Sequence, residues 1–382
     1  MDLLFLIHIV ALLLSFFVVG AMLGAAFSEP FRDGLVEVLH LKHLLTRVSQ
    51  NPILRPGNTP WTAEAVFNPA ALLLGGRTHL LYRAVGSDGV SRLGYASSAD
   101  GVTLDERLPY PVYVAQNPRS SSSPKRYSPV LYPSGGSWGG CEDPRMVAIE
   151  GRVYVTYNAF DGWDYIRVAL TSIAENDFSL KRFWKWHPAR LLSPPGQIQK
   201  NWVLFPEKIN GKFAILHSIV PKIEIEYRDS LDTIGDTDPF IQSWEGPRML
   251  APGREDNWDG VIRSAGPPPI RTDRGWIVLY HATSKDKRHL YQLGAMLLDL
   301  HDPTKEIARS VAPVLSPQEW YENEGKPGIV YAAGAVVRDG TLFVYYGGAD
   351  KVVCVATAPL QTFLEALLAG IPPTLTTVSK KN

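Results

Sequence analysis

The stretch Cys141-Glu142-Asp143-Pro144-Arg145-Met146-Val147-Ala148-Ile149-Glu150-Gly151-Arg152-Val153-Tyr154-Val155-Thr156-Tyr157 decides how the chain is read. Its second half is an apolar strand, a two-residue turn ending in glycine, and a strand rich in Val and Tyr. Asn-Gly and Asp-Gly turns between such runs are the strongest short hairpin signals. The pattern recurs four more times. Ala70–Leu74 leads through Gly75-Gly76 to Thr78–Arg83, and Leu204–Ile209 through Asn210-Gly211 to Phe213–His217. Pro269–Thr272 leads through Arg274-Gly275 to Trp276–His281, and Ala335–Arg338 through Asp339-Gly340 to Leu342–Tyr346. A further strand follows each hairpin, at Ser91–Ala96, Ile166–Leu170, Ile223–Tyr227, Leu293–Leu297 and Val352–Ala356.

The turn glycines Gly76, Gly151, Gly211, Gly275 and Gly340 are spaced at roughly 60–75 residues, the mark of a repeat architecture. Repeated antiparallel units of this size predict an all-β fold, a five-bladed β-propeller over 51–360. A β-sandwich with several hairpins is the other reading; recurrence of the whole hairpin-plus-strand unit favours blades. The insertion 104–139, with Ser120–Ser123, Gly135-Gly136 and Gly139-Gly140, reads as a long loop over one face. Residues 361–382 read as a short helix and a polar tail.

The N-terminus reads differently. Leu3–Phe27 carries no charged side chain, and a span of roughly 20 apolar residues crosses a bilayer as a helix. Residues 1–27 are therefore expected to be a hydrophobic helix, a transmembrane anchor or an uncleaved signal; no basic residue precedes the apolar run, which favours the anchor. Arg32, Lys42 and Arg47 follow the span, so the main domain is expected on the cytoplasmic side; secretion is the alternative. Residues 28–50 read as an amphipathic connector, with Leu35, Val38, Leu39, Leu41, Leu44 and Leu45 near helical spacing.

Composition narrows the function. Of 382 residues, 38 are Lys or Arg and 38 are Asp or Glu, so the basic surplus of a nucleic-acid binder is missing. Two cysteines make neither a disulfide framework nor a Cys-rich zinc site, and no His or Cys pair stands at ligand spacing, so no metal is expected. No Walker loop, dinucleotide fingerprint or Gly-x-Ser-x-Gly motif occurs.

Polar residues that interrupt the apolar strands at matching repeat positions are the site candidates. In Glu142-Asp143-Pro144-Arg145, two carboxylates precede a proline that fixes its own φ and biases Asp143 to an extended conformation. Arg145 pairs with one acid and leaves the other to titrate. A surface turn capped by acids is the competing explanation. Asn68, Arg83, Tyr157, Lys200, Trp202, Lys208, His217, His281 and Asp350 stand at strand starts and ends of the other units.

Glu142–Arg145 followed by Leu204–Lys212 resembles glycoside hydrolase family 130, the β-mannoside phosphorylases and mannosidases. So do Gly266–Ile270 with Tyr280-His281, Leu293–Asp299, and Tyr345–Asp350, in the same order from about residue 50 to 360. The resemblance implies a five-bladed propeller that phosphorolyses β-mannoside oligosaccharides to mannose 1-phosphate with inversion. It implies no cofactor, only inorganic phosphate as co-substrate. Asp143 is the implied general acid, acting through a hydroxyl of the bound mannose. Asn68, Arg83, Glu142, Arg145, Tyr157, Trp202 and Asp350 are expected to bind substrate. Arg167, Lys200, Lys208, His217 and His281 are expected to bind phosphate.

His217-Ser218 departs from the His-Arg that phosphorylases of the family typically carry, which leaves Arg263 or Arg228 to stand in for the missing guanidinium. Inverting hydrolysis is the alternative, with Glu207, Glu322 or Glu324 as base. A non-catalytic glycan-binding propeller is the third reading.

Overall fold

The computed structural model describes residues 37–115, 126–161, 166–235, 251–254, 257–371 and 374–379. Two units are described separately. In the smaller one, Glu37–Lys42 pairs antiparallel with Thr374–Ser379. Both segments are corrections. The helical spacing read over 28–50 and the polar tail read after 361 each contain a strand, because each supplies the other's ladder partner. The anchor expected over 1–27 lies outside the described residues. Among the described residues no helix is long and apolar enough to cross a membrane, and on that finding the membrane-anchored localisation is withdrawn.

Among its described residues the larger unit, His43–Pro372, is β apart from short helical turns and two helices, Glu175–Ser179 and Leu360–Ala369. Five antiparallel sets of strands follow the sequence repeats. The first is Ala65–Leu74, Arg77–Val85 and Val90–Ser98, with Leu104–Arg107 at its edge, so the expected loop 104–139 begins as a strand. The second is Gly139–Ile149, Arg152–Asp161 and Ile166–Ala174, edged by Arg190–Leu191. Pairing of Val90 with Gly139 and Ser91 with Gly140, parallel, makes these two sets one sheet. The third is Val203–Leu204, Phe213–Ser218 and Glu224–Arg228. The fourth centres on Val261–Ala265, Trp276–Thr283 and Gln292–Leu298. The fifth is Val330–Arg338, Thr341–Gly348 and Val352–Pro359, and its edge strand, Thr46–Arg47, comes from the far end of the chain.

Turn chemistry explains the hairpins. Both central residues have positive φ in Gly75-Gly76, Glu150-Gly151, Asn210-Gly211 and Asp339-Gly340. That is the type I′ geometry that matches the twist of the flanking strands. In the fourth set, Arg271 pairs with Trp276, so the loop is longer.

Middle strands such as Trp276–Thr283 are buried along their whole length, because apolar clusters cover both faces. Leu81 and Tyr95 pack with Met146 and Val155; Val147 and Leu170 pack with Phe213 and Ile215. Ala214 and Leu216 pack with Trp276 and Val278; Leu279 and Leu297 pack with Val344 and Tyr346; Val336 and Tyr345 pack with Ala71 and Leu80. Every consecutive pair of sets shares a cluster, and so do the fifth and the first.

One buried carboxylate ties the early edge strand down. Glu322 accepts from Arg47 Nε at 2.7 Å and Nη2 at 2.9 Å, from the Tyr346 hydroxyl at 2.8 Å, and from the backbone N–H groups of Gln318 and Glu319. Removing one partner of a buried pair leaves the other charge uncompensated. Glu322→Ala is therefore expected to cost about 3–5 kcal/mol in chemical denaturation. A cost below about 1 kcal/mol, the size of an exposed pair, would contradict this role.

Candidate active site

The site is built by interruptions of the strand ladders. In the first set, Phe67 pairs with Arg83 and Ala70 with Leu81, so Asn68 and Pro69 together face Tyr82 and one residue is extra. In the second, Glu142 pairs with Asn158 and Arg145 with Thr156, so Asp143 and Pro144 together face Tyr157 and one residue is again extra. Arg263 in the fourth set and Ala333 in the fifth are inserted likewise. Bulges of this kind re-aim side chains, and a proline inside one forfeits no ladder bond. Asn68 and Asp143 sit at φ 46° and 49°, in the left-handed region that Asn and Asp tolerate best. This corrects the extended conformation expected of Asp143, since the bulge turns its backbone. Asn201 and Asp350 share the left-handed conformation, at φ 64° and 52°.

These residues line one cavity. Asn68, Asp143, Asn201, Arg263 and Asp350 share its wall with Arg83, Lys200, Lys326, Tyr291 and Tyr331. Asp143 is 5 % exposed. Its Oδ1 accepts from Asn68 Nδ2 at 2.8 Å and Arg83 Nη1 at 3.1 Å, and Asn158 Nδ2 lies 3.5 Å from Oδ2. Burial alone would push the Asp143 carboxyl up. The charges of Arg83, Arg145 and Lys200, with the bond from Asn68, outweigh burial and hold it below the usual carboxylate range. Asp143 of the free protein is therefore a carboxylate near neutral pH.

Behind Asp143 lies a closed polar network. Glu142, fully buried, accepts from Arg83 Nη2 at 2.8 Å, Ser134 Oγ at 2.8 Å, Ser137 Oγ at 3.0 Å and Lys200 Nζ at 2.9 Å. The partner of both acids is thus Arg83. Arg145, expected to pair with one of them, donates instead to the backbone oxygens of Asp143 and Gly266 and to the Tyr331 hydroxyl. Across the cavity, Asp350 meets Lys326 Nζ at 3.4 Å. Burial pushes its carboxyl up, and the charges of Lys326 and Arg83 offset only part of that.

Of the expected site residues, Asn68, Arg83, Asp143, Lys200 and Asp350 line the cavity, and Glu142 and Arg145 stand behind it. The others do not line it. Tyr157 is buried in an apolar cluster with its hydroxyl 3.1 Å from that of Tyr113. Trp202 stacks on His217 at 4.0 Å, and His217 faces Glu226 at 3.2 Å. Lys208 pairs with Glu150 beside a hairpin turn. Arg167 donates to the Ser193 backbone oxygen.

His281 stacks on Tyr331 at 3.9 Å, and burial first, then the charge of Arg145, pushes its imidazole down to about 3, so it supplies no positive charge. The base candidates also fall elsewhere. Glu207 pairs with Arg271, Glu322 is the structural carboxylate described above, and Glu324 is exposed outside the cavity. Arg228 is turned to Glu226.

Sequence reasoning missed Asn158, Ser134, Ser137, Tyr331 and Lys326. Asn158 and Asn201 exchange two hydrogen bonds of 2.9 Å, and Lys326 donates to the Pro133 backbone oxygen at 2.9 Å. Asn201 carried a signal, standing beside Lys200 at a strand entry; Lys326 carried none.

Arg83 contributes the largest of the charges that lower the Asp143 titration. A depressed carboxyl stabilises the fold above the usual carboxylate range, and that contribution is lost as pH falls through its folded value. In Arg83→Gln the Asp143 midpoint is expected to move up, followed by carboxyl 13C NMR. An unchanged midpoint would show that Arg83 is not the controlling charge.

The sequence model of the family described as beta-1,4-mannooligosaccharide phosphorylase matches residues 39–368. A 1,2-beta-oligomannan phosphorylase of Thermoanaerobacter sp. is 36% identical, covering 83% of this chain and 98% of that one. A beta-1,2-mannobiose phosphorylase of the same organism is 33% identical over 82% of this chain and 96% of its own length. A solved structure described under the GH130 family of mannoside phosphorylases, said to contain glycoside hydrolases that target β-1,2 mannosidic linkages in Candida mannan, matches at 25% identity and a TM-score of 0.65, covering 83% of this chain and 94% of that one. Matched along most of its length by that family model and by these relatives, the chain belongs to glycoside hydrolase family 130.

Proposed function

We propose that this protein is an inverting phosphorylase of β-mannosides, with β-1,2-linked mannooligosaccharides as its substrate class, releasing α-mannose 1-phosphate. The observation that carries it is the cavity where Asp143 from the second set meets Lys200 from the entry to the third. The relatives named for β-1,2-linked substrates at 36% and 33% identity support the linkage. The five sets close into a five-bladed propeller. The shared apolar cluster between every consecutive pair, and the edge strand Thr46–Arg47 borrowed by the fifth set, support that closure.

In this reading Asp143 is the general acid. Asn68 and Asp350 bind mannose hydroxyls, and Lys200 offers charge to phosphate. The Asp143 proton passes to a mannose hydroxyl, whose own proton goes to the glycosidic oxygen. That bond breaks as a phosphate oxygen attacks the anomeric carbon from the opposite face. Asp143 ends ionised and the leaving sugar ends with a hydroxyl. The acid is ionised before substrate binds, so it must gain its proton on the way to the reactive complex. An entering phosphate adds negative charge to the same cavity, offsets the pull of Arg83, Arg145 and Lys200, and raises the Asp143 carboxyl.

Two results are expected. With β-1,2-mannobiose and phosphate, the wild type forms mannose 1-phosphate, and Asp143→Asn lowers kcat by roughly 10²–10⁴-fold. Free mannose as the only product would make water the nucleophile, and turnover confined to β-1,4-mannobiose would reverse the linkage. Calorimetry of phosphate binding in buffers of different ionisation enthalpy should report net proton uptake, with affinity falling as pH rises. Binding without proton exchange contradicts the charging step.

A further inference from the structure

Four cations line the cavity, and three of them face carboxylates. Arg83 meets Glu142 and Asp143, Lys200 meets Glu142, and Lys326 meets Asp350. Arg263 is the fourth. Among the described residues no carboxylate pairs with it. Among these residues its Nη2 donates to the Arg288 backbone oxygen at 3.3 Å, and its Nε is buried in the wall with no acceptor from them. Its guanidinium lies 5.0 Å from the centre of the Tyr291 ring, which covers one face of the plane. Its backbone is the inserted residue between the pairs Ile262–Ala282 and Ser264–His281, so the side chain starts from a fixed strand position.

A charged fork with an unused buried N–H donor suits an anion with two or more acceptor oxygens. Neutral sugar hydroxyls leave its charge uncompensated, whereas a phosphoryl group matches both charge and fork geometry. We propose that Arg263 is the phosphoryl-binding guanidinium of the cavity, holding inorganic phosphate in the forward direction and the phosphoryl group of mannose 1-phosphate in reverse. This assignment rests on the phosphorylase reading and adds a residue to it. It adds a guanidinium from the fourth set to the charge offered by Lys200 and leaves Arg83 to the acids.

The test is a steady-state comparison on the full chain. Phosphate is varied against saturating β-1,2-mannobiose, and mannose 1-phosphate is varied against saturating mannose. In Arg263→Gln, KM for each phosphoryl substrate is expected to rise roughly tenfold to a hundredfold, the loss of one or two charged hydrogen bonds. KM for each sugar should stay within about twofold. Arg263→Lys, which keeps the charge and loses the fork, should fall between, and it supplies the comparison if the glutamine variant does not fold. Raised sugar KM values with unchanged phosphoryl KM values would place Arg263 in the sugar site and overturn the assignment. If the wild type makes no mannose 1-phosphate, the phosphorylase reading fails, and calorimetry with inorganic phosphate alone decides Arg263. Binding lost in the glutamine variant supports the assignment, and equal binding in both proteins refutes it.

Discussion

The site depends on one buried guanidinium. Arg83 is 1 % exposed and spends its donors on Ser91 Oγ, the Ser134 backbone oxygen, Ser137 Oγ, Glu142 and Asp143. Two adjacent carboxylates packed into a protein interior repel one another and lose hydration, and without a cation at least one would take up a proton. Arg83, assisted by Lys200 on Glu142, removes that conflict. The two acids then divide their duties. Glu142 is saturated with donors and holds the loop carrying Ser134 and Ser137, whereas Asp143 keeps a place on the cavity wall.

The scaffold explains why such a network can be held in place. The strands that carry it are buried on both faces, and each set of strands is locked to the next by side chains such as Trp276, Tyr95 and Tyr346. Close packing of this kind leaves few ways for a side chain to move. Bulges and left-handed residues supply much of the cavity wall, at Asn68, Asp143, Asn201, Arg263 and Asp350. The loop residue Gly135 shows how tight the fit is. It has φ 60°, and a β-carbon there would meet the Phe67 ring at 2.5 Å. Left-handed backbone and buried charge thus come together at the cavity, on strands otherwise held by ladder bonds and apolar contact.

Much of the fold was legible because hairpin turns announce themselves. Glu150-Gly151 and Asp339-Gly340 mark type I′ geometry in two letters, and the flanking Val and Tyr runs fix which segments pair. The segment Glu37–Lys42 was misread as helical because its leucines fit either period, and only its distant partner Thr374–Ser379 decides. At the site, Asn68, Asp143, Lys200 and Asp350 were legible as polar breaks at repeat positions. Tyr157, Trp202 and His217 stand outside the cavity wall, since at a strand end the same residue types also serve in packing. Ser134, Ser137 and Lys326 lie on loops outside the repeats, where spacing carries no information.

The most direct measurement is a crystal structure of Asp143→Asn with β-1,2-mannobiose and phosphate bound. The account predicts a mannose ring in this cavity, with a hydroxyl in hydrogen-bond reach of residue 143 and the phosphate on the opposite side of its anomeric carbon. A sugar seated elsewhere, or a phosphate on the same side as residue 143, would contradict it.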